Sequence, residues 1–174
     1  AQHVNEAVCR LKERLLAVDG LFVVHVAGTS NYEETACALD LDDAEKERWK
    51  LFAYQDRMPE VLAAADAVLS RAGATSLAEI AAIGVPALLV PFPYAAEDHQ
   101  TINARSYVES GAARMIADAD IDSEEFAARL LELVCDEGLR ASMREAARGA
   151  GARNAAVALA NVVYSVVGVS GAAS

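Results

Sequence analysis

Residues Ala67–Asn103 read AVLSRAGATSLAEIAAIGVPALLVPFPYAAEDHQTIN, and they place polar side chains at two successive strand-to-helix turns. The apolar run Val68–Ser70 predicts a strand, and Thr75–Ile83 has the spacing of a helix. The pattern then repeats, with a strand predicted over Ala87–Val90 and a helix over Asp98–Ser110. Because parallel α/β sheets bind ligands where strands pass into helices, these two turns are the first candidates for a site.

The rest of the chain alternates in the same way. Further strands are predicted over Leu21–Ala27, Leu51–Ala53 and Ala113–Ile116. Further helices are predicted over Val4–Ala17, Asn31–Leu39, Asp42–Arg48, Met58–Ala64, Ser123–Cys135, Glu137–Ala150 and Asn154–Val167. Since the strands are short apolar runs between helices, the sequence predicts an α/β fold with a parallel sheet covered on both faces. We expect one domain over residues 1–167, followed by a flexible tail over 168–174.

Composition narrows the class of partner. The net charge of −11 over 174 residues argues against nucleic acid or an anionic lipid surface as a partner bound by bulk electrostatics, because both attract basic patches. The three cysteines are widely spaced and have no CxxC or Cys/His pattern, so the sequence predicts neither a disulfide framework nor a zinc site. The expected compartment is therefore the reducing cytoplasm.

The first turn allows two interpretations of Ser76 and Glu79. Their S-x-x-E spacing matches a capping box, in which the two side chains satisfy backbone N–H groups at the start of a helix. Alternatively, Glu79 accepts hydrogen bonds from vicinal ribose hydroxyls while the N–H groups of Ala74–Ser76 face a pyrophosphate. Gly73 would then allow close backbone approach of a ligand, or simply supply a positive φ.

The second turn is long and proline-containing, and it leads into a helix that carries Gln100 and Asn103 on one face. Both amides donate and accept hydrogen bonds, as recognition of a sugar's hydroxyl pattern requires. The structural alternative is that both are solvated polar residues of the helix surface.

Other polar residues favour structural roles. The D-x-D runs Asp40–Asp42 and Asp118–Asp120 precede helical starts, where aspartates act as caps more often than as metal ligands. The histidines His3, His25 and His99 have no spaced partner for metal or triad chemistry. Trp49 and Phe52 are expected to pack in the core or at an edge, and Val24 and Val26 are expected to lie in the core of the sheet. The sequence thus predicts no metal, no cofactor and no complete catalytic apparatus.

Three runs of residues carry a resemblance to a known family: RAGATSLAEIAAIGVPA at Arg71–Ala87, VPF at Val90–Phe92 and DHQ-x-x-NA at Asp98–Ala104. They resemble the C-terminal, donor-binding half of the MurG family, and Tyr54–Met58 and His25–Gly28 match it as well. The resemblance covers nearly the whole chain. It implies the Rossmann-like C-terminal domain of a GT-B glycosyltransferase.

The resemblance also implies an activity and a set of site residues. The family moves N-acetylglucosamine (GlcNAc) from UDP-GlcNAc to undecaprenyl-pyrophosphoryl-MurNAc-pentapeptide, the lipid I to lipid II step of peptidoglycan synthesis. By resemblance, backbone at Gln55 contacts uracil, Ala74–Ser76 line the phosphate and ribose region, Glu79 holds the ribose hydroxyls, and Gln100 with Asn103 addresses the GlcNAc hydroxyls. The implied mechanism is metal-independent inversion.

Relative to the family, the chain is expected to be a fragment. Ala1 aligns with the last residue of a G-G-S-x-G-A turn, so a first strand, that turn and the N-terminal half are predicted to be absent. That half binds the lipid I acceptor, contacts the inner membrane from its cytoplasmic face and supplies candidate bases. We therefore expect weak donor binding at best, and no transfer by this polypeptide alone.

Two alternatives stay open. One is the donor-binding subunit of a naturally split GlcNAc transferase, although even split subunits are expected to keep their own sheet intact. The other is a non-catalytic nucleotide-sugar binding module. A UDP-GlcNAc 2-epimerase half fits less well, because that family lacks the DHQ-x-x-N run.

Overall fold

The computed structural model describes residues 2–93 and 99–148, in which short strands alternate with helices. The strands are β1 Val23–Val26, β2 Trp49–Phe52, β3 Val68–Ser70, β4 Ala87–Leu89 and β5 Ala113–Met115. The helices are α1 Gln2–Arg10, α2 Lys12–Leu16, α3 Tyr32–Leu39, α4 Asp43–Arg48, α5 Met58–Ala64, α6 Ala74–Ile83, α7 His99–Glu109 and α8 Glu124–Cys135. Residues 137–148 are helical as well.

The predicted elements are largely confirmed, with differences at their ends. The helix predicted over Val4–Ala17 is two helices, because Leu11 adopts φ −93° and ψ 5° and donates its N–H to the Val8 carbonyl in a tight turn. The strand predicted from Leu21 begins at Val23. The predictions for 154–167 and for the tail 168–174 lie outside the described residues.

All strand pairing among the described residues is parallel, as predicted, but the strands form two sheets instead of one. The first sheet pairs β1 with β2, and His25 lies opposite Leu51. The second has the order β3-β4-β5, with Leu88 between Leu69 and Arg114. Because β3, β4 and β5 pair in parallel, their carboxyl ends lie at the same edge of the sheet.

Helices cover both faces of the three-stranded sheet. Leu88 and Val90 pack on one side into a core with Trp49 and Phe126, which are both about 1% exposed. Ala87 and Leu89 point to the other side, into a core formed with α5, α6 and α7. The predicted double covering and the core position of Trp49 are therefore confirmed, and burial of a large apolar side chain of this kind stabilises a fold by roughly 2–3 kcal/mol.

An apolar groove of about 970 Å³ lies between β1 and β3. Residues of both strands line it, together with side chains of α1 and α8. Val24 is 40% exposed and lines this groove, so the expectation that it lies in the sheet core is wrong. The reason is that β1 has a hydrogen-bonded neighbour only on its β2 side within the described residues. The predicted absence of a leading strand stays a prediction.

None of the helices in the described part of the chain combines the length and apolar composition needed to cross a bilayer.

Candidate functional site

The first candidate turn connects β3 to α6 and leaves the start of that helix without a side-chain cap. Gly73 is the N-cap residue, and its carbonyl accepts the N–H of Leu77 at 2.9 Å. No side chain caps the helix, and its first turn contains no acidic residue. Ser76 and Glu79 lie inside the helix, so the capping-box interpretation is wrong. The helix begins too early for Ser76 to reach forward onto orphan N–H groups.

This arrangement suits an anion. The first N–H groups of a helix have no intrahelical partner, and the helix dipole places partial positive charge there. Ala74 and Thr75 are exposed at this point, and Ser76 is half-buried. By contrast, Asp42 and Ser123 cap α4 and α8 with their side chains. The N–H groups of α6 are therefore available to an external acceptor such as a phosphate.

Gly73 does not serve as a left-handed turn residue. Its φ is −63°, so the alternative of a positive φ is wrong. A Cβ placed on Gly73 would meet no atom within 4 Å, which means that the backbone faces open space. Close approach of a ligand to this backbone stays a prediction.

The groove brings three of the predicted site residues together. Gln55, Ser76 and Glu79 all line it, although Gln55 follows β2 and the other two belong to α6. The Gln55 side-chain oxygen accepts the Arg57 N–H at 3.0 Å, which fixes the loop after β2. Glu79 is half-buried, so its carboxylate combines partial shielding with access to the groove.

Gln100 has a defined structural partner in the second turn. Its side-chain oxygen accepts the backbone N–H of Phe92 at 2.9 Å, which ties α7 to the end of the described part of that turn. The expectation of a merely solvated side chain is therefore wrong for Gln100, and its amide NH₂ group supplies two further donors. Asn103 lies three residues further along α7 and is half-buried. Neither is among the described residues that line the groove.

A charged cluster at the same sheet edge was missed by sequence reasoning. Arg71, directly after β3, forms an ion pair with Asp118, which follows β5. The same guanidinium donates to the carbonyls of Val90 and Pro91 at 3.4 and 3.3 Å. It also lies 5.4 Å from the ring centroid of Phe92, within the range of a cation–π contact. Arg71 therefore joins the first turn to the second.

His3 extends this cluster to α1. Its Nδ1 lies 2.9 Å from an oxygen of Asp118, and its Nε2 lies 3.2 Å from an oxygen of Asp122. Arg10 forms an ion pair with the other oxygen of Asp122. Both carboxylate partners of His3 are distant in sequence, 115 and 119 residues away. No local spacing could have revealed them.

The cluster shifts the pKa values of His3 and Asp118 toward the charged forms. The hydrogen bond to Asp118 raises the pKa of His3; desolvation opposes this, and Asp122 adds to it. For Asp118, burial acts to raise the pKa, but the hydrogen bonds from His3 and Arg71 hold the pKa of this carboxyl below its usual value. A positively charged His3 and an ionised Asp118 therefore stabilise one another.

The two D-x-D runs have different outcomes. Asp42 caps α4 in a complete capping box, which confirms its structural interpretation. Asp118 makes no capping hydrogen bond, since both of its oxygens are used by Arg71 and His3. Among the described residues there is no group of three histidine, cysteine or acidic side chains that could hold a metal ion.

Residues 1–159 match the family described as "Glycosyltransferase family 28 C-terminal domain". Curated relatives share the name UDP-N-acetylglucosamine--N-acetylmuramyl-(pentapeptide) pyrophosphoryl-undecaprenol N-acetylglucosamine transferase. The protein of Leuconostoc mesenteroides is 40% identical over 84% of this chain and 40% of its own length. That of Clavibacter michiganensis is 36% identical over 96% of this chain and 43% of its own length. The chain thus spans less than half the length of these relatives.

Solved structures agree with the sequence relatives. The crystal structure of MurG from Acinetobacter baumannii superposes with a TM-score of 0.68 and 27% identity over 87% of this chain and 42% of that one. The glycosyltransferase VinC, crystallised with dTDP, gives a TM-score of 0.61 at 19% identity over 83% of this chain and 32% of that one, which shows a shared fold alone.

Proposed function

This chain belongs to the family of glycosyltransferase family 28 C-terminal domains, and on that premise we propose that it is the donor-binding domain of a GlcNAc transferase. The donor would be UDP-GlcNAc, and the acceptor of the complete enzyme would be undecaprenyl-pyrophosphoryl-MurNAc-pentapeptide, following the names of the curated relatives. The complete enzyme would act in peptidoglycan synthesis, as a peripheral protein on the cytoplasmic face of the inner membrane.

The uncapped N-terminus of α6 is the observation that carries this proposal. It presents N–H groups at the carboxyl edge of a parallel sheet, which is where α/β folds place phosphate groups. Glu79 follows on the same helix and lines the groove that Gln55 reaches from the loop after β2. Phosphate, ribose and base recognition can therefore be assigned to adjacent parts of one surface.

Each predicted site residue receives a role that its position supports. The N–H groups of Ala74–Ser76 bind the pyrophosphate, and Gly73 leaves room for its approach. The two oxygens of Glu79 accept from the ribose hydroxyls. Backbone at Gln55 contacts uracil. Gln100 and Asn103 on α7 address the sugar hydroxyls, Gln100 through the NH₂ group of an amide whose oxygen holds Phe92.

The proposed transfer inverts the anomeric carbon without a metal ion. The C4 hydroxyl oxygen of the acceptor forms a bond to the anomeric carbon, the bond from that carbon to the UDP oxygen breaks, and the hydroxyl proton passes to a base. The helix N–H groups stabilise the charge that develops on departing UDP. We propose that the acceptor site and the base belong to the remaining part of the complete enzyme, so this polypeptide alone does not transfer GlcNAc.

Calorimetric titration of the purified chain with UDP-GlcNAc, UDP and UDP-galactose tests the donor site. We expect UDP-GlcNAc to bind more tightly than UDP-galactose. The variant Glu79→Ala should weaken binding by roughly 30- to 150-fold, since it removes hydrogen bonds to a charged group worth about 2–3 kcal/mol. Transfer of GlcNAc to a lipid I analogue by the chain alone would contradict the assignment of the base elsewhere.

Glu33→Ala is the matched control. Glu33 is an exposed glutamate in the first turn of α3, so its removal changes the net charge equally without touching the groove. Equal affinities for all three ligands, or equal losses in both variants, would contradict the proposed donor site.

A further inference from the structure

The charged cluster around Arg71 forms a continuous set of contacts between the two candidate turns. From Arg71 one branch runs through the Val90 and Pro91 carbonyls to the second turn, where Gln100 holds the Phe92 N–H. The other branch runs through Asp118. The first turn, the second turn and the segment after β5 are thereby connected without any ligand.

The hydrogen bonds of Arg71 to Asp118 and to the Val90 and Pro91 carbonyls all come from one terminal nitrogen, Nη1. Arg71 is 18% exposed and Asp118 is 15% exposed, so their ion pair is shielded from water far better than the surface pairs of this chain. Shielding strengthens the attraction between the charges and makes loss of one partner costly. Gly73, the N-cap of α6, lies two residues after Arg71. Because only two peptide units separate them, a fixed Arg71 side chain restricts the position of the helix start.

Asp118 is held from its other side by His3. The two carboxylate oxygens are divided, one to the guanidinium and one to the imidazole. His3 in turn lies between Asp118 and Asp122, and Arg10 occupies the far side of Asp122. Helix α1 also contacts α3, where the Gln2 side-chain NH₂ donates to a Glu34 oxygen at 3.5 Å. This contact does not involve His3. The charged groups that face His3 are therefore two carboxylates, each shared with an arginine.

We propose that Asp118 and His3 are positioning residues of the donor site, which hold Arg71 so that the phosphate-facing turn and the sugar-facing turn keep a fixed separation. This inference rests on the proposed function. We expect neither Asp118 nor His3 to touch the donor. When His3 loses its proton, its positive charge is lost and only one ring nitrogen can still donate, so the pairing that holds Asp118 from the side opposite Arg71 is weakened.

The first arm of the test needs no ligand. In an NMR pH titration of the whole chain, we expect the backbone amide signals of Gly73 and Phe92 to move with the same midpoint as the His3 ring. In Asp118→Asn these amides should no longer follow His3. Amide signals that ignore the His3 titration in the unmodified chain would overturn the proposal.

The second arm measures affinity for UDP-GlcNAc between pH 6 and 8, because the diphosphate diester and the uracil ring both keep their charge over that range. Asp118→Asn should weaken binding roughly ten- to a hundredfold at pH 6, as expected when supporting residues misplace a site. His3→Gln should show the weaker high-pH affinity at every pH. This variant changes a partly exposed residue of α1, so it tests the proposal even if Asp118→Asn does not fold.

Glu132→Gln is the matched control. Glu132 forms an ion pair with Arg114 of β5. The Glu132 side chain is about half exposed, so it is far more open to solvent than Asp118. The affinity of this variant for UDP-GlcNAc should equal that of the unmodified chain. If the unmodified chain binds no UDP-GlcNAc, the proposed function fails while the amide titration still decides the positioning role. If the unmodified chain binds UDP-GlcNAc, and Asp118→Asn and His3→Gln bind it equally tightly at every pH, the positioning role alone is overturned.

Discussion

His25 is a buried histidine that is kept neutral by its surroundings. It is 8% exposed, and burial lowers its pKa to about 4. Its Nε2 lies 3.1 Å from the side-chain oxygen of Asn5, whose NH₂ group donates to the Ala27 carbonyl at 2.9 Å. The pair fastens α1 to the end of β1, so this histidine has a structural role that spacing in the sequence did not reveal.

The low pKa of His25 predicts a loss of stability in acid. The unfolded chain takes up this proton near pH 6.5, whereas the folded chain does so only near pH 4, so the free energy of unfolding falls as the pH drops through this interval. The difference between the folded and unfolded pKa values of His25 corresponds to at most roughly 3.5 kcal/mol of stability, at about 1.4 kcal/mol per pKa unit. Urea unfolding between pH 7 and pH 4.5 measures it.

The variant His25→Gln supplies the comparison, since glutamine can keep the contact with Asn5 but does not titrate. Its stability should depend less on pH than that of the unmodified chain. The raised pKa of His3 acts in the opposite direction, because its contribution is complete below about pH 6.5 and is lost as the pH rises through its folded value. Asp118 loses its contribution only as the pH falls below about 3.8. Equal pH slopes for both proteins would show that His25 is not the group responsible.

At the scale of single elements, the helix starts differ in capping: α4 and α8 have side-chain caps, whereas α2, α3, α5 and α6 have none. In α4, the Asp42 side chain accepts the Glu45 N–H at 2.8 Å, and Glu45 returns the contact to the Asp42 N–H at 3.0 Å. In α6 the corresponding N–H groups have no side-chain cap. A cap satisfies these groups permanently, so only an uncapped helix can offer them to a phosphate.

The α4 cap predicts a specific loss of stability. Asp42→Ala should lower the free energy of unfolding by about 1 kcal/mol, because it leaves the N–H groups of that helix to water. The neighbouring Asp43→Ala removes an equal charge but only a surface contact with Lys46, so it should cost under about 0.5 kcal/mol. Urea unfolding of both variants measures the difference. A loss for Asp43→Ala as large as for Asp42→Ala would assign the effect to charge near the helix start instead of capping.

At the scale of the whole molecule, the two sheets are separate hydrogen-bonded units. The β1-β2 pair is a two-stranded sheet, which is marginal alone, and the groove removes support from its inner edge. The β3-β4-β5 sheet is covered on both faces by the two cores. The molecule therefore contains a well-supported half and a half that depends on packing against α1 and α3.

Hydrogen exchange should distinguish the two halves. The Ala27 N–H donates to the Phe52 carbonyl in the first sheet. In the second sheet, the Val90 N–H donates to the Ser70 carbonyl and the Ile116 N–H donates to the Leu89 carbonyl. We expect the Ala27 amide to exchange faster than the other two. NMR-detected exchange in deuterated buffer measures each amide separately. Identical protection of the three amides would show that both sheets open together as one unit.

Much of the fold was predictable because the signals are local. Helix periodicity, apolar strand runs and turn residues depend on neighbours a few residues apart, and the bounds of α5 and β3 agree with the prediction at both ends. The capping box requires Ser76 as the N-cap, but the N-cap of α6 is Gly73, three residues earlier, so Ser76 lies inside the helix. Cap assignments fail this way because they depend on the backbone angle of a single residue.

The site was predictable only in part. Gln55 and Glu79 were assigned to one site by the family resemblance, and both line the same groove although β2 and β3 belong to different sheets. The roles of Arg71, Asp118 and His3 do not follow, because their contacts join segments separated by dozens of residues and depend on side-chain direction. No periodicity carries that information.

The sequence by itself determined the α/β class, the parallel pairing and the two strand-to-helix turns, and its motifs determined the family. The fold class and the turns depend on apolar spacing and turn residues, which are local properties of the chain. Only the tertiary structure decided that the strands divide into two sheets, that Val24 faces a groove, and that the start of α6 has no side-chain cap. It also decided that His3 and Asp118 meet across the molecule. These features arise from packing between distant segments, where the balance of burial, charge and closure of the chain selects one arrangement out of many that the same local pattern permits.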